Sequence, residues 1–135
     1  MTQVKATPSE RPSQDHSCHW LYVAAPSVQS FGSTERTGKW CIFRSPAEID
    51  QAWERIRDLA AAEKILCAKV STAYGSRYFD SHVICIYTLD WQDTEDLLST
   101  RQVLREVGFV EELGYKRDVD TAARLYGPEE WFTRA

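Results

Sequence analysis

The chain has 135 residues, enough for one domain whose core holds several strands and two or three helices. Its formal charge is −4, so the field of the whole molecule does not favour duplex DNA, and any contact with nucleic acid has to be local. No apolar stretch is long enough to span a bilayer and the N-terminal residues lack a signal-peptide core, so a cytoplasmic protein is expected.

The chain begins with a polar segment. Residues 1–17 include Pro8 and Pro12 and hardly any apolar side chain, so they cannot bury enough surface to offset the entropy lost on ordering. We expect a disordered N-terminal tail over residues 1–17 and a single domain over residues 18–135.

The cysteines do not form a recognisable framework. None of the four is part of a CxxC pair, and three of them lie inside apolar runs, which favours reduced, buried thiols. His16, Cys18 and His19 lie close together, but their spacing matches no closed metal site and no fourth ligand is apparent. We therefore predict no metal site.

Two strands are predicted before the first helix. The segment HWLYVAA contains strand-forming residues and is closed by Pro26. A loop rich in Ser, Thr and Gly runs from there to Gly38, and KWCIF then forms a second, short strand.

The next segment carries signals for a helix start. Ser45 can cap the helix, Pro46 suits its first position, and Glu48 completes a capping box. The helix is expected to end near Glu63. Its single apolar face consists of residues at helical spacing, namely Ile49, Trp53, Ile56 and Ala60.

The second half of the chain predicts a hairpin, a helix and a last strand. ILCAKVST and HVICIYT are strands joined by the loop AYGSRYFDS. Asp93 opens the acidic first turn of a helix that stops at Gly108, and FVEELGYKRDVDTAARLYG contains a strand with a short helical turn. Hairpins between helices favour an α+β fold, in which an antiparallel sheet has its helices on one face.

Tryptophans are candidates for a base-stacking surface, because stacking on an aromatic side chain contributes about 1–3 kcal/mol per base. Trp53 lies on the apolar face of the predicted helix, so we assign it to the core. Trp20 and Trp40 lie in strands, where either face of the sheet remains open to them. Trp91 precedes a helix within a polar segment and is expected to be half exposed.

Lys69 stands inside an otherwise apolar strand. An unpaired ammonium is costly there, so its side chain must reach solvent, a carboxylate or an anionic ligand. Other basic residues could join it in a rim that binds a phosphate or single-stranded RNA: Arg77, Lys116, Arg117 and Arg124. The alternative is ordinary ion pairing with nearby carboxylates, which are those of Asp80, Asp118 and Asp120.

An enzymatic function is the weaker alternative. His82 begins a strand and could act with Lys69 as an acid–base pair of a lyase-like, phosphate-directed enzyme, if the hairpin brings the two together. The sequence has no nucleophile with a base at motif spacing, no Gly-rich phosphate loop and no paired carboxylates. A non-enzymatic binding module is therefore favoured, with no catalytic residue and no cofactor predicted.

The run from His82 to Gly127 resembles the C-terminal part of the cap-binding translation initiation factor 4E family. That family has a strand ending in an aromatic residue and Thr, then a helix, then a GYxxxxDTA segment, for which this chain has GYKRDVDTA. GKWCIF resembles the family's GxRWxxxx strand, and the helix with Trp53 resembles its Trp-bearing helix. The ordered set of motifs covers roughly Gly38 to Gly127.

The chain is still more similar to the basophilic leukaemia-expressed protein family, a structural relative of the 4E fold. The resemblance rests on WLYV, GKW, AKVST, a strand ending in YT and a YK-D-T segment. It implies a curved antiparallel β-sheet backed by two or three α-helices. Asp120 and Thr121 match the DTA of the 4E pattern, and we expect a turn or helix cap there, with Asp120 accepting backbone N–H bonds.

The resemblance to 4E proteins also implies a ligand site, but one that is lined by different residues. Those proteins hold a methylated guanine between two Trp and its phosphates on basic hairpin residues. Here the loop at 26–38 carries only Phe31 as an aromatic residue. Thr72 or Ala73 stands where the family has an Arg, with Arg77 nearby.

The sequence thus predicts a small binding module that takes a nucleotide or single-stranded RNA on the concave face of its sheet. The alternative implied by the family is a protein partner on the helical face. Neither a membrane nor duplex DNA is an expected partner. The predicted ligand-binding residues are Trp20, Trp40, Lys69, Arg77, Lys116, Arg117 and Arg124.

Overall fold

A computed structural model of the chain describes residues 10–123 and 131–135. Within them the elements are β1 Trp20–Ala24, β2 Gly38–Arg44, α1 Ile49–Ala61, β3 Cys67–Ser71, β4 His82–Thr88, α2 Thr94–Glu106, β5 Gly114–Arg117, α3 Asp118–Ala122 and β6 Thr133–Arg134. The strands form one curved antiparallel sheet in the order β1-β3-β4-β2-β5-β6. The predicted α+β class and sheet type are confirmed. No helix in the described parts of the chain is both long and apolar enough to cross a bilayer.

Strand alternation gives the sheet two different faces. Trp40 pairs with Ile86 and Ile42 with Ile84, and these side chains pack with residues of α1 and α2. We call this side the helix face. The opposite side, the open face, carries the alternate residues of the same strands, which include Tyr22, Lys39, Cys41, Cys67, Lys69, Cys85, Tyr87 and Lys116.

The core lies between the helix face and the two long helices. Trp40 is fully buried, and its indole N–H donates a hydrogen bond to the carbonyl oxygen of Leu97 in α2 at 3.0 Å. Trp53 of α1 is also fully buried, so it lies in the core as its helical spacing predicted. Burying one such large side chain contributes roughly 1.5–3 kcal/mol or more.

The two long helices begin in different ways. The side chain of Asp93 accepts a hydrogen bond from the backbone N–H of Asp96 at 3.1 Å, and Gly108 follows α2 with a φ of 105°, so the predicted start and stop are confirmed. Helix α1 begins only at Ile49, and the predicted cap at Ser45 is wrong. Ser45 forms a turn whose backbone carbonyl accepts the N–H groups of Glu48 and Ile49, while its hydroxyl lies 3.2 Å from a Glu48 oxygen.

The segment before β1 packs on α1 where the structure describes it. Ser13 donates from its backbone N–H and its hydroxyl to the Asp50 carboxylate at 2.9 and 2.6 Å. Glu10 accepts the indole N–H of Trp53 at 2.8 Å. For residues 10–17 the expectation of a disordered tail is therefore wrong, because polar side-chain contacts replace the missing apolar burial. Residues 1–9 lie outside the described residues, and the domain boundary stays a prediction.

A buried arginine organises the chain after α2. Arg101 donates from its guanidinium to the carbonyl oxygens of Phe109 at 2.8 Å, Glu111 at 2.5 Å and Ala135 at 2.9 Å. Leu113 and Ala135 also exchange backbone hydrogen bonds at 2.8 and 3.0 Å, which continues the pairing of β5 with β6. The short strand β6 was not predicted, since a two-residue strand has no periodicity to read.

Candidate functional site

The open face brings together residues that are distant in sequence. Tyr22 of β1 pairs with Lys69 of β3, Lys69 with Cys85 of β4, and Cys85 with Cys41 of β2, which makes one continuous row across four strands. A second row next to it consists of Cys67, Tyr87, Lys39 and Lys116. Two aromatic rings and three lysines thus share one surface of the sheet.

A pocket of about 430 Å³ lies on the open face where β1, β3 and β4 meet. Its aromatic walls are Tyr22, Phe31 and Tyr87, and Lys69 and Cys67 also line it. The rings of Phe31 and Tyr87 lie with their centroids 5.2 Å apart, and Tyr22 is 69% exposed. We call this cavity the open-face pocket; its volume is sufficient for an aromatic ring.

Lys69 supplies the positive charge of the open-face pocket. Its ammonium nitrogen lies 3.9 Å from the ring centroid of Trp20 and 6.0 Å from that of Tyr87, both cation–π contacts. Among the residues that the structure describes, no carboxylate lies within ion-pair distance of it. The expected position of Lys69 toward solvent or an anion therefore agrees with its surroundings.

Lys39 is held by a network that sequence reasoning missed. Its ammonium donates to Asp118 and to the hydroxyl of Thr121, both at 2.8 Å, while Ser33 and Thr37 each donate to Asp118 at 2.7 Å. Burial would raise the pKa of Asp118, but these hydrogen bonds together lower it. Asp118 thus neutralises Lys39 at the edge of the open face. The sequence did contain one indication of this network. Lys39 directly precedes Trp40 in β2, so its side chain must lie on the opposite face of the sheet from the Trp40 ring.

The predicted tryptophan pair is divided between the two faces. Trp20 lies on the open face, where Lys69 covers its ring. Trp40 is fully buried on the helix face, so the prediction that it binds ligand is wrong. A ring that packs beneath α2 and donates its N–H to Leu97 has no surface left for a base.

The predicted basic rim is also divided. Lys116 lies on the open face, 5.4 Å from the ring centroid of Trp131. The Arg117 guanidinium pairs with Asp120 at 2.8 Å and stacks between Trp91 and Phe132, away from the open-face pocket. The prediction of a continuous basic rim that includes Arg117 is therefore wrong.

Two further arginines were predicted in that rim. Arg77 lies in the loop between β3 and β4, with its guanidinium 3.9 Å from the Tyr74 ring centroid and 4.6 Å from that of Tyr78. Its stacking there keeps it out of the lining of the open-face pocket. Arg124 lies outside the described residues.

The hypothetical acid–base pair does not form. His82 is buried on the helix face, with its Nδ1 2.7 Å from the carbonyl oxygen of Ser71. Lys69 lies on the open face, because it pairs with Cys85, an odd number of residues from His82 along β4. The sheet separates the two side chains, so the geometry gives no support to a lyase-like enzyme that uses them.

The fold matches those of solved cap-binding proteins. C. elegans eIF4E-3, in complex with the 4E-binding protein Mextli and a cap analog, superposes with a TM-score of 0.65 at 16% identity, over 86% of this chain and 68% of that one. Schistosome eIF4E, complexed with m7GpppA and 4E-BP, gives 0.68 at 15% identity, over 93% and 75%. Ascaris suum eIF4E-3 with an m2,2,7G cap gives 0.55 at 16% identity, over 72% and 61%. At these identities the likeness establishes the fold.

The sequence itself matches a family model more specifically. The model describes basophilic leukemia-expressed protein Bles03, and it matches residues 33–122. The matched segment runs from the loop before β2 to the end of α3 and includes both central strands of the open face. It covers more than half of the chain, and the chain therefore belongs to the Bles03 family.

Proposed function

We propose that this protein is a non-enzymatic binding module that takes a nucleotide or a short single-stranded RNA segment in its open-face pocket. The observation that carries the proposal is Lys69, an ammonium surrounded by aromatic rings at an accessible pocket and without a carboxylate partner in the described structure. Solved proteins of the same fold are complexed with cap nucleotides, which supports this choice.

The pocket supplies the two interactions that a nucleotide needs. Tyr22, Phe31 and Tyr87 offer ring faces for a base, worth about 1–3 kcal/mol for each stacked base. Lys69 offers a positive charge for a phosphate. Lys39 also lies on the open face, but Asp118 already neutralises its charge, so Lys39 contributes little attraction for a phosphate. Because the net charge is −4, binding should rest on local contacts and weaken as salt rises.

The test is a fluorescence titration of the full chain with guanosine and adenosine nucleotides, a methylated cap analogue and a short single-stranded RNA, at two salt concentrations. Trp20 serves as the reporter because it lies against Lys69. We expect saturable quenching that weakens with salt and falls at least about tenfold in Lys69→Glu. Lys64→Glu is the matched control, since Lys64 is exposed outside the open-face pocket. The absence of any saturable response in the wild type would contradict the proposal.

A protein partner is the second candidate, and a groove on the other side of the molecule favours it. The groove has a volume of about 420 Å³ and runs between α2 and β6. Trp91, Leu98 and Phe132 line it, with Leu98 50% and Phe132 41% exposed. Four of the matching solved structures include a 4E-binding protein or 4E-BP. A partner whose binding is lost in Leu98→Glu and kept in Lys69→Glu would establish this function instead of the first.

A further inference from the structure

Two cysteines face each other at the centre of the open face. Cys41 of β2 and Cys85 of β4 are register partners, and both are free thiols. Only 6% of Cys41 and 5% of Cys85 is exposed, so the two sulfurs are enclosed together. Cys85 is also the register partner of Lys69, which places the pair beside the open-face pocket.

The hydrogen-bond pattern shows what kind of pair this is. The backbone N–H of Asp118 donates to the carbonyl of Thr37 at 2.9 Å, in register with the pairing of β2 and β5. Because the direction of backbone groups alternates along a strand, Thr37, Lys39 and Cys41 all direct theirs toward β5. Cys41 and Cys85 are consequently a non-hydrogen-bonded pair, in which the Cα atoms lie about 4.5 Å apart and the side chains are closest. A disulfide accepts Cα separations of roughly 4.4–6.8 Å.

We infer that Cys41 and Cys85 are a redox modification site, which a peroxide converts into a cross-strand disulfide that a thiol reductant can reverse. With hydrogen peroxide, the Cys85 thiolate attacks one oxygen, the O–O bond breaks, and a sulfenic acid forms while the leaving hydroxide takes up the released thiol proton as water. The Cys41 sulfur then attacks the Cys85 sulfur. An S–S bond forms, the S–O bond breaks, and the second hydroxide leaves as water with the Cys41 proton. Two electrons pass from the sulfurs to the peroxide.

The surroundings favour Cys85 as the attacking sulfur. A hydrogen bond from the Cys41 thiol lowers the pKa of Cys85 against the effect of burial, and the charges of Lys69 and Lys39 lower it further. The same hydrogen bond and burial raise the pKa of Cys41, which remains the protonated partner. A thiolate next to a resolving thiol is the arrangement of redox-sensing cysteine pairs, and because only 5% of Cys85 is exposed, the oxidant that reaches it has to be as small as hydrogen peroxide.

Cys67 provides the internal comparison. It lies on the same face, but its register partner in β4 is Tyr87, so it is diagonal to Cys85. The Cα atoms of diagonal neighbours lie about 7–8 Å apart, beyond the roughly 4.4–6.8 Å between Cα atoms that a disulfide accepts. Burial also raises the pKa of Cys67 to about 11, which keeps it protonated.

The experiment is mass spectrometry of the intact full chain, reduced and then exposed to hydrogen peroxide. We expect a loss of two hydrogen atoms that dithiothreitol reverses, and a peptide map of the wild type that links Cys41 to Cys85. Cys67→Ser should keep the link, while Cys41→Ser and Cys85→Ser should lose it. A map that links other cysteines, or stepwise addition of oxygen without a link, would overturn the inference. The wild-type map decides even if a serine variant fails to fold, and it needs no ligand, so it is independent of the proposed function.

Discussion

The two faces of the sheet come from the same strands, but one face forms the buried core and the other forms the candidate site. On the helix face, Trp40, Ile42 and Ile86 are fully buried under α1 and α2, and each side chain there contributes to folding. Lys69 and Tyr87 lie on the open face, and no long helix of residues 10–123 or 131–135 covers them. The contrast shows that alternation lets one strand supply both the core and a site. Lys69, a lysine inside an otherwise apolar strand, identifies the face that is not packed against the helices.

The largest expected contrast is between two tryptophans on opposite faces. Trp40→Ala should lower the free energy of unfolding by about 3–5 kcal/mol, because it leaves a cavity in the core and frees the Leu97 carbonyl. Trp20→Ala should cost about 1 kcal/mol, since it removes a half-buried ring and a cation–π contact. Urea unfolding of both variants measures the difference. Equal losses would mean that the two faces are not distinct.

A smaller effect is expected from the buried ion pair at the edge of the open face. Asp118→Asn should cost about 3 kcal/mol, because it leaves the enclosed Lys39 ammonium without a counter-charge. Asp90→Asn is the matched control, as Asp90 forms an ion pair of the same length with Arg36 at the surface. Urea unfolding should show a far smaller loss for the control. A comparable loss in both would contradict the role assigned to burial.

The same pair predicts a pH dependence. The hydrogen bonds from Lys39, Ser33 and Thr37 outweigh burial and lower the pKa of Asp118 in the folded protein. A lowered pKa contributes stability that is present above the unfolded value, near pH 4, and is lost as pH falls through the folded value. The difference in unfolding free energy between wild type and Asp118→Asn should therefore be constant above about pH 5 and shrink as the pH is lowered from about pH 4 through the folded pKa. A difference that is constant over this range would show that the charge of Asp118 is unimportant.

The smallest expected effect concerns the far end of the open face. A Cβ added at Gly114 would clash with Cδ2 of Trp131, so Gly114→Ala should displace that ring at a cost of about 1 kcal/mol. The change should be visible in the tryptophan fluorescence of the native protein. Gly32→Ala is the control, because no atom lies within 4 Å of a Cβ built there. Identical spectra for the two variants would refute this packing.

The sequence predicted the elements better than the site. The apolar run HVICIYT corresponds to β4 from His82 to Thr88, and the acidic start and Gly108 bound α2. Local signals of this kind suffice for elements. The faces were harder, because both sets of alternate residues in β2 include large apolar side chains. Trp40 could not be assigned until the strand order placed it beneath α2.

The open-face pocket needed information that no local pattern contains. Its aromatic walls come from β1, from the loop before β2 and from β4. Only the register across three strands brings Tyr22 and Tyr87 to either side of Lys69. Lys69 alone was recognisable beforehand, since its charge conflicts with the strand around it. The network around Lys39 was missed for the same reason, as Asp118 follows it by 79 residues.

Arg101 also determines how the molecule would respond to mechanical force. Its guanidinium joins α2 to the carbonyl of Ala135, so a pull on the last described residues is carried into the helix as well as through the two-residue strand β6. Arginine stays protonated across the physiological range, and this attachment does not loosen with pH. A lysine has a single nitrogen and no planar fork, and it would carry the load through fewer bonds. The edge of the sheet is thus anchored in the core of the molecule.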